Sequence, residues 1–254
     1  MKIAILGANI LQNKLVLKAK ELGIESHVFS LPIGAIAEKN SDFFYPISIT
    51  KKEEILEICK RVKIDGICSI ASDVAMPTVN YIAQEMKLIG NTLDCTEMTT
   101  NKYKMRKVLT KNGIPCPNFF LAENLKEIET KILNFPLIMK PIDRSGSRGV
   151  FKVNTVKELK ENFYKSLNES FSKKVIIEEH IDGEEYSIEG ISQNGKHNIL
   201  QITKKYTTGS PNFIEIGHLE PAGLDENIVK KNKKNNISKF GYFENTKWSL
   251  SFRD

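Results

Sequence analysis

The first ninety residues alternate short apolar runs with longer amphipathic patterns, and that rhythm most narrows what the chain can fold into. KIAIL at 2–6 is an apolar run of strand length. Leu11, Leu15, Val16, Ala19 and Leu22 then recur near the helical period, and Gly23 ends the pattern. SHVFS follows as a second strand, EEILEICKRV as a helix over 52–62, DGICSI as a strand over 65–70, and PTVNYIAQEMK as a helix over 77–87 with Pro77 in its first turn. Strands joined through helices of this length predict a parallel sheet, because parallel neighbours need a crossover that a tight turn cannot supply.

The rhythm changes at about residue 95. NKYKMRKVLTKNG at 101–113 reads as a helix stopped by Gly113, and IPCPNFF breaks the pattern with two prolines. A helix over about 124–133, the strands PLIMKP and GVFKV, a helix near 155–167 and the strand VIIEEHI make a small α/β unit with antiparallel pairing. From 184 the pattern is strand after strand: EEYSIEGIS, HNILQITKK and FIEIGHLEP. The first two flank Asn194-Gly195, a hairpin signal because the favoured two-residue turn needs positive φ at both central positions. A polar helix over 224–240 completes the reading.

Composition excludes several function classes. The 254 residues, 41% hydrophobic and 27% charged, suit one large or two smaller folded domains. The net charge of +6 does not point to nucleic acid, since 37 Lys and Arg are interleaved with 31 acidic residues. The one dense run, KKNKKNN at 230–236, has no aromatic interleaving. Cys59, Cys68, Cys95 and Cys116 form no CxxC pair and the four histidines no HExxH, so a zinc site is not expected and free thiols in a reducing cytosol are. With no secretory leader and no run of roughly 20 apolar residues, the expectation is a cytoplasmic protein without a membrane partner.

The chemistry begins at KPIDRSGSRGV, 140–150, where a lysine precedes the glycines, the reverse of a Walker loop. Lys140 at a strand end can reach a phosphate while the amides of Ser145 to Gly149 fold over others, Gly146 and Gly149 permitting the close approach. In VIIEEHIDGEEYSIE, 175–189, the Glu179 carbonyl and the Ile181 amide form the acceptor–donor pair that an adenine edge requires. After the turn at Asp182-Gly183, Glu184 and Glu185 open the next strand, and one of these carboxylates can accept from both ribose hydroxyls. Taken singly, Lys102 reads as a solvated helix lysine, Glu178 as a strand residue facing water, Gly146 and Gly149 as a turn, and His218 as a structural histidine; only their order points to a nucleotide. A dinucleotide-binding turn at ILGAN, with Glu25 near the ribose spacing, competes. It would need glycines at 7, 9 and 12, where the chain has Gly7, Asn9 and Gln12.

ILGANILQNKLVLKAKELG, the lysine-bearing helix at 101–113, FPLIMKP with RSGSRGV, and VIIEEHIDGEEYSIE, in that order, resemble the ATP-grasp superfamily over nearly the whole chain. The resemblance implies an α/β chain: a parallel-sheet pre-ATP-grasp domain at 1–94, then an ATP-grasp fold of two α+β subdomains at 95–254. Its lid subdomain would span about 113–181 and a partial C-terminal subdomain 182–254. It implies Lys102 and Lys140 on phosphates, Ser145, Gly146, Ser147 and Gly149 in a mobile lid, Glu178 and the backbone of Glu179 and Ile181 at adenine, and Glu185 at the ribose. TKKYTTGSPNFIEIGHLEPA resembles the E-x-G-H-x-x-P segment of some carboxylate-amine ligases, which implies Glu215 and His218 near the acceptor substrate.

The implied cofactors are ATP and Mg2+, and the implied reaction converts a carboxylate to an acylphosphate that an amine attacks, releasing ADP and phosphate. Small-molecule carboxylates and amines are thus the expected partners, and a homodimer stays open. In the family the metal ligands come from two late strands, a Glu and then a Glu-x-Asn pair followed by an arginine. GYFENTKWSLSFRD ends at Asp254 about where the first of these would begin, so the expectation is an incomplete metal site. The alternative is a catalytically impaired nucleotide-binding or partner-binding protein.

Overall fold

A computed structural model of the chain describes residues 1–193 and 196–225, with 227 and 229. The chain divides into two compact units, Met1–Thr100 and Asn101–Asp254.

The first unit holds β1 (Lys2–Leu6), α1 (Ile10–Glu21), β2 (Glu25–Phe29), β3 (Phe43–Tyr45), α2 (Lys52–Val62), β4 (Gly66–Cys68), α3 (Met76–Glu85) and α4 (Leu93–Thr100). Its sheet runs β3-β2-β1-β4 with every pair parallel, as the alternation required. Leu6, Phe29, Ile55, Cys59, Val79 and Ile82 form one core cluster, with β1 and β2 buried along most of their length in the middle of the sheet.

The turn after β1 is closed to a dinucleotide by its own side chains. Asn9 caps α1, its Oδ1 accepting from the Leu11 and Gln12 amides at 2.8 and 3.4 Å, while Gln12 Oε1 accepts from the Asn9 amide at 3.2 Å. Gln12 also donates to the Ile70 carbonyl and is 1% exposed. The helix amides that would meet a pyrophosphate are therefore partly satisfied from within. Glu25, the candidate ribose carboxylate, instead meets His27 Nε2 at 2.9 Å and Lys2 Nζ at 3.3 Å.

The second unit begins with α5 (Lys102–Lys111), β5 (Phe119–Ala122), α6 (Leu125–Glu129), β6 (Leu137–Pro141), β7 (Phe151–Val153), α7 (Val156–Glu169) and β8 (Val175–Glu179). These strands form an antiparallel sheet in the order β5-β8-β6-β7. Leu137, Met139, Val175 and Ile177 turn one face of it onto Leu159 and Phe163 of α7. The helix expected over 124–133 shortens to α6, and β5 forms directly after the two prolines, where a break was read. Its pairing with β8, Phe119 opposite Glu178 through Ala122 opposite Val175, is a tertiary contact that overrides local signals.

A second antiparallel sheet, β11-β10-β9, is built from β9 (Glu185–Gln193), β10 (Lys196–Thr207) and β11 (Glu215–Leu219). Gln193 pairs with Lys196, while Asn194 and Gly195 between them, the KKNKKNN run and GYFENTKWSLSFRD lie outside the described residues, as does nearly all of the helix expected over 224–240. Among the described residues no helix is long and apolar enough to cross a membrane.

Phe163 is fully buried at the centre of the α7 contact, so Phe163→Ala leaves a cavity beneath β6 and β8. Urea unfolding should show a loss of about 3–5 kcal/mol. A loss below about 1 kcal/mol would contradict the packing described.

Candidate functional site

Alternation along β6 and β8 sends Lys140 and Glu178 to the face of the sheet opposite α7. Ile138 pairs directly with Glu178 and Lys140 with Ile176, so these four side chains share that face. Helix α5 packs over the same face through Tyr103, whose ring meets Phe119 edge-on at 5.7 Å, Phe119 being the β5 partner of Glu178. One turn further along α5 stands Arg106.

The result is a buried ion triad. Glu178 is 3% exposed; its Oε1 accepts from Arg106 Nε at 2.8 Å and its Oε2 meets Lys140 Nζ at 2.6 Å. Burial pushes the Glu178 carboxyl up, but Lys140 and Arg106 together hold it below its ordinary value. The reading of Glu178 as a strand residue facing water is thus corrected: a strand between two others, covered by helices on both faces, has no solvent side here.

Lys102 opens α5, behind the Asn101 cap, and its Nζ donates to the Arg144 carbonyl at the root of the glycine-serine loop. Its amide donates to the Ile142 carbonyl at 2.9 Å. That root is pinned from the other side by Asp143, which accepts from the Phe171 and Ser172 amides at 3.1 and 2.8 Å and from the Ser170 and Ser172 hydroxyls at 2.9 and 2.6 Å. Between these anchors Ser145, Gly146 and Ser147 are exposed, while Gly149 is half-buried at φ 70°, where a Cβ would sit 3.0 Å from Pro141 Cγ. The loop therefore has a fixed base and an accessible tip, where Ser147 Oγ donates to the Phe213 carbonyl at 2.8 Å.

Beyond β8, Ile181 is exposed, and among the described residues its amide has no acceptor. Glu179 pairs with Leu137, three residues along β6 from Lys140. The second sheet gathers the remaining candidates around a lysine that sequence reasoning passed over. Lys205, 9% exposed, is bonded by Glu185 of β9 and lies 3.1 Å from Glu215 of β11; Glu215 lies 3.6 Å from His218 Nε2. Burial lowers the Lys205 pKa, but the two carboxylates outweigh it and the net shift is upward.

The structure thus brings Lys140 together with Glu178, Lys102 with the loop root, and Glu185 with Glu215 and His218. Arg106 and Lys205 were not foreseen. Arg106 had a signal, lying four residues after Lys102 on a helical period. Lys205 had none, because a shift of register between Ile199 and Gln201 decides which of two adjacent lysines stands opposite Glu185. Among the described residues no group of three or more His, Cys, Asp or Glu is arranged to hold a metal ion.

Residues 133–241 match the ATP-grasp domain. The chain is 26% identical over 228 residues to the formate-dependent phosphoribosylglycinamide formyltransferase of Prochlorococcus marinus (strain MIT 9515), covering 87% of this chain and 55% of that enzyme. It is 28% identical over 155 residues to the carbamoyl phosphate synthase large chain of Caldanaerobacter subterraneus subsp. tengcongensis, covering 59% of this chain and 14% of that one. The fold is that of an L-amino acid ligase from Bacillus licheniformis, with a TM-score of 0.80, 24% identity, and coverage of 96% of this chain and 60% of the ligase. The chain therefore spans little more than half the length of the formyltransferase.

Because the folded Glu178 pKa lies below the unfolded value, its contribution to stability is present above the unfolded pKa of about 4.3 and is lost as pH falls through the folded value. Urea unfolding at pH 6 and below should show wild-type stability falling more steeply than that of Glu178→Gln as the medium is acidified. Parallel curves would mean that Glu178 carries no such linkage.

Proposed function

From a chain that carries an ATP-grasp domain, we propose an ATP-dependent ligase that activates a small-molecule carboxylate as an acylphosphate for attack by an amine. The carrying observation is a spacing along the β6–β8 pair. Lys140 and the strand position of Glu179 lie three residues apart, roughly 10 Å at strand rise, comparable to the reach of an adenosine from its base edge to its first phosphate. At one end the Ile181 amide is available to a base; at the other a cation stands beside a loop with a fixed root and an exposed tip.

In this reading the Glu179 carbonyl and the Ile181 amide hold the adenine edge and Glu185 accepts from the ribose hydroxyls. Both Glu178 oxygens are engaged by cations, so its side chain serves the lysine and the base is left to the backbone. Lys140 and Lys102 neutralise phosphate charge, and the amides of Ser145 to Gly149 close over it. Closure excludes the water that would hydrolyse an acylphosphate. Glu215 and His218 face the acceptor, and Mg2+ neutralises the polyphosphate when bound. Residues 113–181 act as the lid-bearing subdomain.

ADP release from MgATP across a panel of carboxylates and amines tests the proposal. Turnover should need both a carboxylate and an amine and should fall by about a hundredfold or more in Lys140→Met. ATP binding without turnover on any pair would favour the nucleotide-binding alternative.

A further inference from the structure

Lys140 stands 2.6 Å from Glu178. A lysine held that closely by a buried carboxylate is a poor phosphate ligand, since leaving would strand a negative charge with almost no access to water. The inner face contains the remedy. Arg106 holds the other carboxylate oxygen at 2.8 Å, and its own side chain is only 11% exposed. Two cations share one anion, so the triad carries one net positive charge.

We propose that Arg106 is a positioning residue that remains on Glu178 as its fixed counter-charge and so releases Lys140 to exchange between Glu178 and the nucleotide phosphate. The division of labour follows from the side chains and their anchors. Arg106 rises from a helix whose first turn is tied down by the Lys102 amide on the Ile142 carbonyl. A guanidinium keeps its charge at any working pH and offers a planar donor set. Lys140 ends on a single ammonium carried by a flexible stem, at the strand end that leads into the glycine-serine loop. When its ammonium turns to a phosphate, Glu178 keeps one charge-assisted hydrogen bond.

The inference rests on the proposed binding of phosphate by Lys140, and the test separates the two. Calorimetry on the full chain measures the affinities for ADP and for adenosine, and their ratio isolates the part of binding owed to phosphate. Lys140→Met should lower the ratio by about thirtyfold. Arg106→Gln, which keeps a hydrogen-bond donor and removes the charge, should lower it to a similar extent, with adenosine affinity little changed. Arg106→Lys should restore most of the preference. In Arg106→Gln/Glu178→Gln, where no carboxylate holds Lys140, the ratio should return to within about threefold of wild type.

A Lys140→Met ratio equal to wild type overturns the phosphate reading and this inference with it. A fall in Lys140→Met with no change in Arg106→Gln overturns the inference alone. Equal losses in Arg106→Gln and in the double variant would show Arg106 acting on phosphate directly, or on packing, and would also overturn it. If Arg106→Gln does not fold, the comparison of Glu178→Gln with the double variant decides. The two should agree, and a tenfold or larger fall between them, at about 1.4 kcal/mol per factor of ten, contradicts the account.

Discussion

A carboxylate shut away from water must keep its counter-charges, and much of the second unit is arranged around that requirement at Glu178. Removing one partner of a buried ion pair commonly costs about 3–5 kcal/mol, far more than an exposed pair contributes. This constraint ties three elements together: α5 through Arg106, β6 through Lys140, and β8 itself. It also explains why α5 lies over this face of the sheet, its Tyr103 packed against Phe119 and its first residue against the loop root. In the proposed function the same contacts hold the cations that would meet a polyphosphate near one another in advance, which lowers the cost of organising them on binding.

The second sheet repeats the device with the charges reversed. There a buried lysine is shared by carboxylates from the strands on either side, Glu185 and Glu215, and the latter also approaches His218. Residues expected at the ribose and at the acceptor are thus joined through one ammonium. The loop leading into β11 also accepts the Ser147 hydroxyl at Phe213, so the tip of the glycine-serine loop and the strand bearing Glu215 are in contact.

Legibility in the sequence followed the range of the forces involved. The parallel sheet was readable because the apolar run of β1 and the amphipathic pattern of helices such as α2 follow one another in alternation. The order of lysine, loop and acidic strand was readable because each is a local pattern. The environment of Glu178 was not, since its alternation with Ile177 looks the same whether the strand is at an edge or between two others. Strand β5 was missed because its existence depends on β8, more than fifty residues away. Lys205 was missed for a finer reason. Lys204 and Lys205 are chemically identical, and an extra residue at Leu200 places the second opposite Glu185; a regular hairpin from Gln193 and Lys196 would have placed the first there.

The central claim is that Lys140 exchanges its partner on nucleotide binding while Arg106 does not. A crystal structure of the full chain with a non-hydrolysable ATP analogue and magnesium measures this directly. The account predicts the adenine edge on the Glu179 carbonyl and the Ile181 amide, Lys140 Nζ within hydrogen-bond distance of a phosphate oxygen, and Arg106 still on Glu178. A nucleotide bound there with Lys140 still on Glu178 and no phosphate contact, or with Arg106 swung onto the phosphate instead, would contradict it.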